Sequence, residues 1–99
     1  MSGDNIRICD VTQTYREQLN IAQEEFANLL TKELVNIKVS RQAVSNWEKG
    51  ENYPSTDFLL LCSVIYEDWR QAWAMDCLKV KLPEVFDPNV VSFKLAKPK

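Results

Sequence analysis

The residues of this 99-residue chain best suited to chemistry lie between Ser40 and Gly50, in the run Ser-Arg-Gln-Ala-Val-Ser-Asn-Trp-Glu-Lys-Gly. With Val44 and Trp47 turned inward on a helix, Gln42, Ser45, Asn46 and Lys49 fall at i, i+3, i+4 and i+7 on the outward side. Arg41 and Ala43 flank that stripe at its N-terminal end. Every side chain of the stripe donates hydrogen bonds, and glutamate, the usual companion of lysine on a solvated face, is absent from it. Gln and Asn pair in bidentate fashion with adenine's major-groove edge, Arg with guanine's, and an Ala methyl meets that of thymine. Each good pair discriminates by about 1–3 kcal/mol. A solvated face is the plain alternative for a stripe taken alone, but this composition fits a groove-reading helix.

Other chemistries find little material. There is no histidine, and Cys9, Cys62 and Cys77 are an odd number without CxxC spacing, so a disulfide framework, a zinc site and imidazole acid–base work all lose support. No cofactor is expected. Cys62 reads as a small buried hydrophobe, and all three thiols as reduced. Glu24 and Glu25 are sequence neighbours that do not face each other on a helix, and no nucleophile–base pair suggests itself, which makes an enzyme the weakest class.

The elements that must position the stripe read as helices. Val11, Tyr15 and Leu19 set a first helix over about 12–20, whereas Asn5–Val11 alternates weakly and suits a short edge strand. Ile21, Phe26, Ala27, Leu29, Leu30 and Leu34 mark a second helix running to about Val35, with Glu24 and Glu25 at the positive end of its dipole. Ser40 as N-cap and Gly50 as C-terminal stop bound a third over 41–49. Ser55 or Thr56 caps a fourth, Phe58–Tyr66, apolar almost all round and expected at the domain's centre. Trp69, Trp73, Cys77 and Val80 give a fifth, closed by Pro83, with the tryptophans read as packing on the domain's own core. The last residues, 85–99, read as extended, either solvated with lysines near phosphate or as one strand pairing with Asn5–Asp10 or with its copy. The expected fold is all-α: an extended segment over 1–11, a five-helix domain over 12–82 and a tail over 83–99, with room for a small β pairing at the ends.

Composition allows one small domain with one core: 45% hydrophobic and 26% charged residues, with two glycines. The longest apolar run, Phe58–Cys62, is far short of the roughly 18 residues of a membrane span, and Met1–Asp10 lacks a signal-peptide pattern. A cytoplasmic protein with no membrane partner is expected. The net charge of −2 lacks the basic signature of a nucleic-acid binder, but its distribution is uneven. Residues 1–36, 37–50, 51–78 and 79–99 carry nets of −3, +2, −4 and +3. Screening confines each charge to about 8–10 Å at cellular salt, so the positive segments can still present a local basic face.

Two blocks resemble a known family. Arg16-Glu-Gln-Leu-Asn-Ile-Ala-Gln-Glu-Glu-Phe-Ala27, and Val39-Ser-Arg-Gln-Ala-Val-Ser-Asn-Trp-Glu-Lys-Gly50 followed by Tyr53-Pro54, are similar to the phage repressor and Cro-type helix-turn-helix proteins of the XRE family over about residues 12–66. The resemblance implies a five-helix DNA-binding domain in which helix two braces the backbone and helix three enters the major groove, usually as a homodimer on a two-fold site. It implies that Arg41, Gln42, Ala43 and Asn46 face bases, with Ser45 at the groove edge among them. It puts Gln23, Ser40, Lys49 and Asn52 on phosphates, and Arg16 and Glu48 in a partly buried structural ion pair. Two departures stand out. Ala22 replaces the usual Ser or Thr cap of helix two, and Thr31–Lys38 lengthens the turn between helices two and three, read as extra turns of helix two and then a loop.

The leading function is therefore a sequence-specific double-stranded DNA-binding regulator, most simply a repressor, in a prokaryotic or phage-infected cell and associated with its nucleoid. The alternative is a protein-interaction module on the same scaffold, antirepressor-like or antitoxin-like, whose acidic segments meet a basic protein partner.

Overall fold

The computed structural model describes residues 7–82. Five helices follow in order: α1 Ile8–Leu19, α2 Gln23–Leu30, α3 Arg41–Lys49, α4 Thr56–Ile65 and α5 Trp69–Lys81, with no strand among the described residues. α1 packs on α3 and α5, α2 on α3, and α4 on α5. No helix of the described residues is long and apolar enough to cross a membrane.

The core is organised around Trp73 of α5, which is fully buried. Its ring stacks on Trp47 of α3 at 5.9 Å and meets Phe26 of α2 edge-on at 5.7 Å and Phe58 of α4 at 6.4 Å. Such aromatic pairs contribute about 0.5–1.5 kcal/mol each beyond the area they remove from water. The indole still carries a donor, which burial would strand; Trp73 Nε1 therefore donates to the fully buried Thr12 Oγ1 of α1 at 3.1 Å. One residue thus joins all five helices, and the expectation that the tryptophans pack inward holds for it, while Trp69 packs partly buried beside Phe26.

Three sequence expectations are corrected. The segment Asn5–Val11 is not extended from residue 8 onward: α1 begins at Ile8, and Ile8, Val11 and Thr12 are buried on one face. Two alternating isoleucines are too short a pattern to outweigh a helical stripe that reaches the core, and the Asp10 carboxylate accepts from the Arg7 amide at the helix start at 3.3 Å. A strand pairing of the tail with Asn5–Asp10 loses its partner over these residues. The extended tail itself, together with residues 1–6, lies outside the described residues.

Helix α2 stops at Leu30 and not at Val35. The carbonyls that residues 33 and 34 would need are taken by side chains from a distant element. Arg70 Nη1 donates to the Leu29 oxygen at 2.8 Å, and Tyr66 Oη to the Leu30 oxygen at 2.6 Å. Tertiary hydrogen bonds here replace two rungs of the helix ladder, and the chain leaves through turns in which Lys32 and Leu34 donate to the Leu29 and Thr31 oxygens.

Helix α4 is not the apolar centre. Only Leu59 and Cys62 are buried within it, whereas Leu60, Val64 and Ile65 are 49%, 76% and 39% exposed. Apolar composition all round a helix states what could be buried; α5 is the neighbour that chiefly covers it, and the side carrying Leu60, Val64 and Ile65 is left open.

Candidate nucleic-acid interface

Helix α3 is bounded by its own chemistry. The Ser40 hydroxyl accepts from the Ala43 amide at 3.0 Å, satisfying one donor that the first turn leaves open. At the other end Gly50 takes φ 77°, a left-handed conformation that other residues adopt only with strain, and the Glu51 amide closes on the Asn46 oxygen at 3.0 Å. Val44 and Trp47, 0% and 6% exposed, fix the helix's roll against the core.

That roll decides what faces outward. Arg41, Gln42 and Lys49 are exposed, and Ala43 and Asn46 half-buried. Ser45 is not on the outward stripe: it is buried, only 9% exposed. The buried arc of α3 spans Val44, Ser45 and Trp47, wider than the two apolar residues alone define, because α1 and α2 both pack against this short helix. Gln42 Nε2 donates to Asn46 Oδ1 at 2.9 Å. The remaining amide groups, the Gln42 oxygen and the Asn46 nitrogen, form an acceptor and a donor one turn apart, held in mutual register before any ligand arrives. A fixed donor and acceptor on one helix face is what an adenine edge, itself one acceptor and one donor, requires.

The orientation of α3 is held by a charged clamp at its other end. Arg16 of α1 grips Glu48 through two parallel bonds, Nε to Oε2 at 2.6 Å and Nη2 to Oε1 at 3.0 Å, and its Nη1 donates to the Ile21 oxygen at 3.0 Å. The side chains are 19% and 8% exposed, so the pair is largely withdrawn from water. The hydrogen bond to Glu48 raises the already high pKa of the guanidinium against the opposing effect of burial, so it stays charged. Gln23, at the first position of α2, donates from Nε2 to Glu48 Oε1 at 3.1 Å. One carboxylate therefore ties α1, α2 and α3 together. Gln23, assigned to phosphate by resemblance, gives one of its two amide hydrogens to this clamp and keeps the second to donate elsewhere.

Ser40 and Asn52 are exposed at the two ends of α3, with Lys49 on the last turn where a cation suits the helix dipole. The Ser40 oxygen is engaged in capping but its hydroxyl proton remains free to donate. Ala22 caps α2 without any side-chain hydrogen bond, a loss of about 1 kcal/mol relative to a hydroxyl cap. Sequence reasoning missed Tyr66 and Arg70, which hold the entry to the α2–α3 connection. Tyr66 looked like the last apolar residue of a core helix, and Arg70 stood 41 residues from the Leu29 carbonyl it satisfies.

Neither curated proteins nor solved structures provide a significant match to the chain. A family model described as helix-turn-helix matches residues 13–67, from the first turns of α1 past the end of α4. That span exceeds half of the chain and contains the clamp, both caps of α3 and its outward face. The family is one of DNA-binding regulatory domains and not of enzymes. The chain belongs to the helix-turn-helix family, as a DNA-binding regulator of the Cro/repressor (XRE) type.

Proposed function

We propose that this protein recognises a specific duplex sequence by placing α3 in the major groove, and acts as a phage-type repressor, as a homodimer on a two-fold site in the cytoplasm of its host. The observation that carries the reading is the outward face of α3. Gln42 and Asn46 are joined at 2.9 Å beside the exposed Arg41, on a helix whose only acid, Glu48, is turned into the Arg16 clamp. Arg41, Gln42, Ala43 and Asn46 then read base edges. Gln23, through its second amide hydrogen, and Ser40, Lys49 and Asn52 meet phosphates, which set register without carrying sequence information. Ser45 serves the packing of α3 instead.

Selection of bound sequences from a random duplex pool at about physiological salt tests this, since non-specific binding then falls to roughly 10⁻⁴–10⁻⁶ M. The expected outcome is a two-fold symmetric site, with Gln42→Ala and Asn46→Ala each relaxing preference at one position by about 1–3 kcal/mol. Lys49→Ala should weaken all sequences alike and reduce the salt slope by about one. Recovery of nothing above background would overturn the reading in favour of a protein-interaction module working through the acidic segments.

A further inference from the structure

The connection between α2 and α3, Thr31–Ser40, is longer than helix pairs in bundles commonly need, about 2–8 residues. Both of its ends are fixed. At the α2 end Thr31 Oγ1 donates to the Ala27 oxygen at 3.2 Å, and Tyr66 Oη donates to the Leu30 oxygen while accepting from the Glu33 amide at 3.4 Å. Arg70, held by Asp68, lies over the Tyr66 ring at 3.8 Å. At the α3 end Val39 packs on the core and Ser40 caps the helix. Between these anchors Leu34 is half-buried and the other side chains face water: Val35 is 87% and Ile37 37% exposed, and Lys32, Asn36 and Lys38 are exposed as well. Two β-branched apolar side chains held open on an anchored loop lose the stabilisation that burial would bring.

The loop is continuous with the N-terminal end of α3, the end that leads a helix-turn-helix reading helix into the groove. Lys38 precedes the Ser40 cap by two residues, no more than about 7 Å of chain. The major groove is about 12 Å wide, so its phosphate walls stand within that reach. Lys32 and Lys38 outnumber the one acid of the segment, Glu33, whose amide is pinned at the root, and Arg41 follows at the start of α3.

We propose that the α2–α3 connection is a second DNA-contacting element, with Lys32 and Lys38 on phosphates flanking the groove that α3 reads and Val35 and Ile37 packed on the sugars between them. This rests on α3 being the groove helix, and it lengthens the contacted duplex beyond what α3 alone covers. In the full-length protein on a duplex from the selected pool, the double variant Lys32→Ala/Lys38→Ala should flatten the dependence of log K on log salt by about 1.8. The affinity lost between 50 and 200 mM salt then shrinks by about 12-fold. The hydroxyl-radical footprint should shorten at its flanks, with base preference and melting temperature unchanged. Val35→Ser/Ile37→Ser should reduce affinity several-fold at unchanged salt slope. An unaltered slope and footprint in the lysine variant, while Gln42→Ala still relaxes preference, would overturn this inference and leave the α3 reading standing. Conversion of a dimer to a monomer by the Val35/Ile37 variant, with the lysines silent, would reassign the loop to contact between copies. Failure of the parent protein to bind any duplex above background would remove both.

Discussion

At the scale of single residues, Glu48 ties three helices through one carboxylate: it accepts from Arg16 twice and from Gln23 once while almost out of water. Removing either member of a withdrawn pair strands the other charge, and the residual exposure of Arg16 places the cost at about 3 kcal/mol, the low end for such pairs. Arg16→Ala and Glu48→Ala should each lower stability by about that amount in urea denaturation, whether or not DNA is present. Wild-type midpoints for both would show that water already solvates the pair. Ser45 makes the contrasting case. Its burial gives it no edge to offer a base, so Ser45→Ala should leave the selected site unchanged while Gln42→Ala does not; a changed preference at one position in Ser45→Ala would return it to the groove face.

At the scale of elements, α3 is set by its ends. A Cβ at Gly50 would meet nothing closer than Cys9 Sγ at 4.0 Å, so space is not the obstacle there. The left-handed φ of 77° is, and Gly50→Ala should cost about 1–2 kcal/mol, seen as a lower melting temperature with base preference retained. Ser40→Ala should cost about 1 kcal/mol through its cap, and any additional loss of affinity would measure the phosphate contact proposed for its hydroxyl. α2 and α4 show why such end rules do not suffice. The amphipathic pattern of α2 continues to Leu34, yet Tyr66 and Arg70 claim the carbonyls that would continue the helix. α4 has a capping serine, whose hydroxyl accepts from Phe58 at 3.1 Å, and an apolar circumference, but half of that circumference has no neighbour.

At the scale of the whole molecule, one core holds groups whose charged forms it disfavours. Burial pushes the Cys62 and Cys77 thiols from 9.0 to about 11 and about 12, and burial with the Asp76 carboxylate at 2.7 Å pushes Tyr15 from 10.0 to about 12. All three are neutral when protonated, so the fold favours the protonated form. Their contribution is complete below pH 9 and is lost as pH rises toward 11–12. Melting temperature should therefore fall progressively above pH 9, and Tyr15→Phe should remove the part of that fall that sets in above pH 10. A flat profile to pH 12 would mean that these groups ionise without disturbing the core. The amino-acid sequence by itself determined what consecutive residues settle among themselves: the bounds of α3 from Ser40 and Gly50, its inward Val44 and Trp47, its outward Arg41, Gln42, Asn46 and Lys49, and the family these spell. The Arg16–Glu48 pair was legible through that family's pattern. Only the tertiary structure decided where α2 stops, that α1 begins at Ile8, that Ser45 is covered, that α5 and not α4 carries the centre, and that Gln23 is bound to Glu48. Each of these depends on which surface a distant segment brings, and a helix cannot state in its own residues how much of its circumference a neighbour will cover or which carbonyls a remote hydroxyl or guanidinium will claim.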